Sequence, residues 1–124
     1  METRPTAFGL LTLRPDGILH AVFDFERKPT EEAVTEYLLT REEMIGDGSV
    51  PSIVEIVKIP YVDRSIRQFL MDEMRPPPCR AVVTTDHALL TMFRTYQMVD
   101  GAKTPTEVFA TVEAAVDWIK TQGV

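Results

Sequence analysis

A chain of 124 residues is long enough for one domain that buries about two-thirds of its unfolded surface, with no need of a disulfide or metal to hold it together. Its 44% apolar and 26% charged residues place it in the globular class and exclude the disordered one. A net charge of -6 with thirteen scattered Lys and Arg argues against nucleic acid or anionic lipid as the main ligand, since both are gripped through clustered cations.

Ala7 to Leu13 reads as the first strand, after a polar start. Pro15-Asp16-Gly17 carries turn chemistry, Pro15 fixing its own φ and Gly17 supplying a positive one, so a hairpin is expected. The return strand, Ile18 to Phe25, puts Leu19, Ala21, Phe23 and Phe25 on the core face and Ile18, His20, Val22 and Asp24 on the other. Thr30 is the expected N-cap of a first helix, with Glu31 and Glu32 in the dipole-favoured first turn and Gly46-Asp47-Gly48 at its end. Its apolar face is Ala33, Val34, Tyr37, Leu38, Met44 and Ile45. Arg41 falls on the wheel between these residues and is expected to reach out at the edge of the face.

Ser52 to Ile59, apolar at both ends and rich in Ile and Val, reads as a central strand stopped by Pro60. Asp63 is then placed to cap a second helix in which Ile66, Phe69, Leu70 and Met74 recur at helical spacing. Pro76-Pro77-Pro78 forms a stiff extended connector to a strand at Arg80 to Thr85. Thr85 or Asp86 caps a third helix, running to about Val99 before Asp100-Gly101, with Leu89, Met92, Phe93, Tyr96 and Val99 as its inner stripe. After a loop at Lys103-Thr104-Pro105, a last strand covers Glu107 to Ala110. Thr111 caps a fourth helix with Val112, Ala115, Val116 and Ile119 inward, Trp118 beside them and Gly123 at its end. The order β-β-α-β-α-β-α-β-α predicts a single α/β domain over residues 1 to 124, with a mixed five-stranded sheet, four helices and right-handed crossovers. The first strand falls at a sheet edge, itself a pairing site.

This order, carried by LRPDGILHAVFDF, SIVEIVKIPYVDRSIRQFL, RAVVTT and TEVFATVEAAVDWI, resembles the STAS fold of anti-sigma-factor antagonists, and more closely small bacterial STAS-like domains. The resemblance implies a non-enzymatic module that binds protein partners, often as a homodimer, and that in some members is switched by phosphorylation. Phosphorylated relatives carry a Ser or Thr directly after an Asp at the start of the second helix. Here Asp63 is followed by Arg64, and Ser65 stands one residue later, rotated by roughly 100°. Asp63 and Ser65 are thus the candidate switch, with Arg64 and Arg67 near enough to welcome a phosphate.

Apolar residues in excess of the helix cores mark a candidate interface. Leu90 and Met98 on the third helix and Met71 on the second form one such patch, accompanied by Arg64, Arg67 and Arg94, with Leu39 surplus on the first helix. No metal or cofactor is expected: His20, His87 and Cys79 have no ligand spacing, and Gly46, Gly48 and Gly101 fit no phosphate-cradling pattern. Nothing in the sequence orients or activates a Cys79–His87 nucleophile pair, and the carboxylates Glu42-Glu43 and Asp72-Glu73 read as solvated helix faces. The lone Cys79, the absence of a signal-like apolar run in METRPTAFGL and the lack of any bilayer-length apolar stretch lead to the expectation of a reduced cytoplasm and no membrane insertion. The reading is therefore a cytoplasmic, non-catalytic protein-interaction module. Its alternative is a small-ligand or lipid carrier, because lipid-transfer domains of the CRAL-TRIO class have a related helix and strand order. A carrier would have to leave its core partly empty.

Overall fold

The computed structural model describes residues 1 to 46, 50 to 100 and 104 to 123; Asp47, Gly48, Gly101 and Lys103, where the sequence predicts helix ends and a loop, lie outside that set. The elements are β1 (Glu2–Pro5), β2 (Leu10–Leu13), β3 (Leu19–Asp24), α1 (Glu31–Ile45), β4 (Ser52–Lys58), α2 (Arg64–Glu73), β5 (Arg80–Val83), α3 (His87–Asp100), β6 (Thr106–Phe109) and α4 (Val112–Thr121). Six strands in the order β1-β2-β3-β4-β5-β6 make one sheet, antiparallel from β1 to β3 and parallel from β3 to β6.

The α/β class, the four helices and the mixed sheet agree with the sequence reading, but the sheet has six strands instead of five. Residues 7 to 13 split: Ala7 to Gly9 form a turn and Glu2–Pro5 folds back as an extra edge strand. The Thr6 hydroxyl closes that turn, donating to the Gly9 carbonyl at 2.6 Å and accepting from its N–H at 2.9 Å. A side chain at Gly9 would meet the Phe23 ring at 2.8 Å, so this chain reversal needs a glycine for space. ETRP has no apolar alternation to announce a strand. It is held by its ladder to β2, by the Thr3–Thr12 hydroxyl pair at 3.1 Å and by the Arg4 guanidinium donating to Glu43 of α1 at 2.6 Å. The expected first strand is accordingly not the sheet edge.

The hairpin at Gly17 (φ 82°) forms as expected, and so do the Thr30 and Thr111 caps, whose hydroxyls accept from Ala33 and Ala114 at 3.1 and 3.2 Å. Asp86, of the two candidates, caps α3, accepting from Ala88 and Leu89. Asp63 does not cap α2 with its carboxylate; it stands in the N-cap position with the side chain toward Lys28 at 3.7 Å, and only its carbonyl serves the helix.

Two cores form on opposite faces of the sheet. On one, α4 sets Ala115, Val116 and Ile119 against Ile18, Ile53, Cys79, Ala81 and Val83. Ile18 thus belongs to a core, although its alternation placed it opposite the expected core face. On the other, Leu11, Leu19 and Ala21 meet Val34, Tyr37, Leu38 and Met44 of α1, and Phe8 packs on Phe23, Phe25 and Tyr37 with ring centroids 5.1 to 5.3 Å apart.

Helices α2 and α3 complete this second face without burying any residue fully. The inner stripe of α3 is correspondingly incomplete. Leu89, Met92, Phe93 and Tyr96 are half-buried and Val99 is 53% exposed, whereas Leu90, read as surplus, is half-buried.

A candidate ligand cavity

Because α2 and α3 stand off the sheet, they leave a cavity of about 200 Å³ between themselves, α1 and the strands. Strand alternation builds its floor: Leu19, Ala21 and Phe23 of β3 and Ser52, Val54 and Ile56 of β4 point one way, while Ile53 points to α4. Helical spacing builds its walls. Tyr37 and Arg41 are one turn apart on α1, Ile66 and Leu70 one turn apart on α2, and Phe93, Tyr96, Gln97 and Asp100 recur at i, i+3, i+4 and i+7 on α3.

The cavity's two ends differ in charge balance. Beyond the C-terminal end of β4, Arg67 of α2 donates through Nε and Nη2 to the two carboxylate oxygens of Asp100 at 2.8 and 3.2 Å, and through Nη1 to the Val62 carbonyl at 2.7 Å. Its guanidinium lies over the Tyr96 ring, 4.1 Å from the centroid, and the Tyr96 hydroxyl accepts from the Val62 N–H at 2.9 Å. This forked pair, with side chains only 10% and 6% exposed, ties α2 to α3, and the bond to Asp100 holds the Arg67 guanidinium above its ordinary pKa.

At the other end, where β4 and β5 begin, Ser52 and Arg80 are paired in register and Arg41 reaches in from α1. Arg41 is only 5% exposed, so it is not the edge residue the wheel suggested: α1 stays regular through it and the guanidinium turns into the hollow instead of out to water. Burial lowers the pKa of both arginines, and for Arg80 the proximity of Arg41 lowers it further. The Tyr37 hydroxyl beside them is pushed up to about 12 by burial. Among the described residues, Arg41 and Arg80 share no hydrogen bond or ion pair with any protein group, nor do the Tyr37 and Ser52 hydroxyls. Glu42 also acts on Arg41, raising its pKa, but its pull is the weakest of the influences there. No fully enclosed side-chain nitrogen or oxygen lacks a partner among the described residues, so these four polar groups, all on residues that line the cavity, keep some accessible surface rather than being sealed in protein.

The sequence-predicted site residues lie mostly elsewhere. Ser65 and Arg64 are exposed in the first turn of α2, beside Asp63. Arg67 is engaged by Asp100 rather than directed at Ser65. Met98 is 84% exposed on the outer side of α3 and Arg94 is exposed, whereas Met71, 37% exposed, borders the cavity. Cys79 is buried under α4, where burial raises its pKa, and His87 is exposed at the start of α3. No group of three or more potential metal ligands occurs among the described residues, and no described helix is long and apolar enough to cross a membrane. The polar end of the cavity was missed, although Arg41 on an apolar helical face was the signal that could have found it.

The chain belongs to the family described as Domain of unknown function (DUF7793), whose profile matches residues 11 to 122. No curated protein and no solved structure matches it. Of the cavity's lining residues, Phe8 alone falls outside the matched span, as does β1.

Proposed function

We propose that this member of the DUF7793 family is a non-catalytic small-ligand-binding domain, its ligand held between the sheet and helices α1, α2 and α3. The observation that carries this reading is the cavity of about 200 Å³, whose exposed surface is almost wholly apolar between its two polar ends. Close packing is the rule in protein interiors, and an apolar void of about 150 Å³ is already enough to take up benzene. The test is native mass spectrometry of the purified chain, as isolated and after exposure to octanol, beside an Ala21→Leu variant that fills the floor. The expected result is a bound small molecule in the wild type and none in the variant. A wild-type chain that is bare as isolated and takes up no octanol overturns the reading.

A second reading, a protein-interaction module of STAS-like kinship acting in the cytoplasm, is favoured by Met98 and Val99, adjacent on α3 and 84% and 53% exposed. The order of helices and strands supports that kinship. Solution mass over a concentration series, wild type against Met98→Asp, tests it. A wild-type dimer that the variant turns into a folded monomer supports the module, and a monomer in both removes its homodimeric form.

A further inference from the structure

The charge at one end of the cavity specifies the chemistry of its ligand. Arg41 and Arg80 bring two cations to the start of β4 and β5, flanked by the Tyr37 and Ser52 hydroxyls, and among the described residues none of the four side chains is bonded to a protein group. The one carboxylate that lines the cavity among the described residues, Asp100, is bonded through both oxygens to Arg67. Buried cations are ordinarily paired, because an unpaired charge loses its hydration and gains nothing in return. Arg67, in the same cavity, shows what pairing looks like in this protein. The contrast leaves a concentration of donors with no acceptor. The remaining lining, from β3 and β4 to Leu70 and Phe93, is apolar apart from Tyr96 and the Gln97 side chain on α3.

Resting on the reading of the cavity as a ligand site, we infer that its ligand is an amphipathic small-molecule anion. The head, a carboxylate or a phosphate monoester, sits between Arg41 and Arg80 with the Tyr37 and Ser52 hydroxyls donating to it, and the apolar body lies along β3 and β4 toward the Arg67–Asp100 pair. A guanidinium presents a fork of N–H donors that matches two oxygens of either head group. The shared requirement is several acceptor oxygens bearing negative charge on an apolar stem. A cationic or uncharged head would leave both guanidinium groups without a counter-charge.

The experiment is isothermal titration calorimetry of the full chain at neutral pH with four probes of one chain length: octanoate, octyl phosphate, octanol and octylamine. At least one of the two anions is expected to bind about tenfold or more tighter than octanol, with no binding of octylamine; a tenfold ratio corresponds to about 1.4 kcal/mol. Tighter binding of octyl phosphate than of octanoate assigns a phosphate head, and the reverse order a carboxylate; both support the inference. Arg41→Met and Arg80→Met are each expected to remove the preference for anions while keeping octanol affinity, and to raise the thermal midpoint of the unliganded chain. A purely structural role for the two arginines would lower that midpoint instead. Octanol binding as tightly as both anions overturns the anionic head and leaves the ligand-cavity reading standing, whereas no binding of any probe overturns both. If both Arg variants fail to fold, the guanidinium groups are held by the protein itself and the assignment falls.

Discussion

On the α4 side of the sheet, Ala81, Cys79 and Ala115 are small enough to let a helix settle directly on the strands, and Ile53 and Ile119 fill what remains, all five 2% exposed or less. On the opposite side, α2 and α3 bury no residue fully, and the space they leave holds two arginines without hydrogen-bond or ion-pair partners among the described residues. The strands are the same, and alternate residues of β4 serve both faces. The difference lies in what each helix offers. Helix α4 presents a compact stripe of Ala, Val and Ile, whereas α3 presents Phe93, Tyr96, Gln97 and Asp100, long side chains that keep the helix axis away from the sheet. Dense packing on one face stabilises the fold, and the other face is free to carry a site at some cost in lost contacts.

Truncation is the strongest way to break this contrast. Ile119→Ala on the packed face is expected to destabilise by about 4 kcal/mol, because the surroundings have no slack to collapse into. Leu70→Ala on the half-buried cavity wall should cost about 1 kcal/mol, since that side chain already borders empty space. Urea midpoints at unchanged slope measure both, and equal losses would mean that the hollow face is as tightly packed as the other. Next in size is the tie between α2 and α3. Asp100→Asn leaves Arg67 buried without its charge partner and should cost about 3 kcal/mol. The loss is expected to be local: hydrogen exchange should quicken in the amides of α3 and stay unchanged in those of α4. Uniform quickening would show that the two faces unfold as one unit.

The same small substitution should have opposite signs on the two faces. Ala21→Val adds two methyl groups toward the cavity and is expected to stabilise by up to about 1 kcal/mol. Ala81→Val, at a position 0% exposed against α4, should destabilise by about 2 kcal/mol through overpacking. Thermal midpoints of the two variants, compared with the wild type, decide the matter. A loss at both positions would argue that the strands beside the cavity are as constrained as those under α4.

Elements with strong periodic or capping signals were legible in the sequence: Thr30 and Thr111 as caps, the Gly17 hairpin, the β4 segment stopped at Pro60, and the Ala115–Ile119 stripe. What escaped had no one-dimensional signature. β1 is polar and short, and becomes a strand only because β2 offers it a ladder. The hollow follows from how far α3 stands off the sheet, which apolar spacing does not encode; Val99, expected on the inner stripe, is therefore 53% exposed. Asp63 followed the rule for caps yet turned to Lys28. Arg41 was noticed as an anomaly on an apolar face. The general preference of long charged side chains to reach water pointed it outward, and the internal space that admits it became visible only in three dimensions.

The smallest effect at neutral pH separates the two faces through titration. Tyr37 is buried, its hydroxyl is bonded to no protein group among the described residues, and it is pushed up from 10.0 to about 12 by burial. The folded chain therefore keeps this proton after the unfolded chain has lost it, so between about pH 10 and 12 folding binds more protons than unfolding and stability falls as pH rises. A shift of this size corresponds to a loss of about 2 to 3 kcal/mol once the window is crossed. Tyr37→Phe should change neutral stability by less than about 1 kcal/mol, because no protein partner is left unpaired, and should flatten the alkaline fall. Cys79 on the packed face works in the same direction from a lower starting pH, since burial raises its thiol as well. Cys79→Ala therefore removes the early part of the fall and Tyr37→Phe the late part, and urea midpoints measured at successive alkaline pH values in the two variants assign each part to its face. An alkaline fall that Tyr37→Phe leaves intact would mean that water already reaches the hydroxyl from the cavity, and that the polar end of the hollow is wet before any ligand arrives.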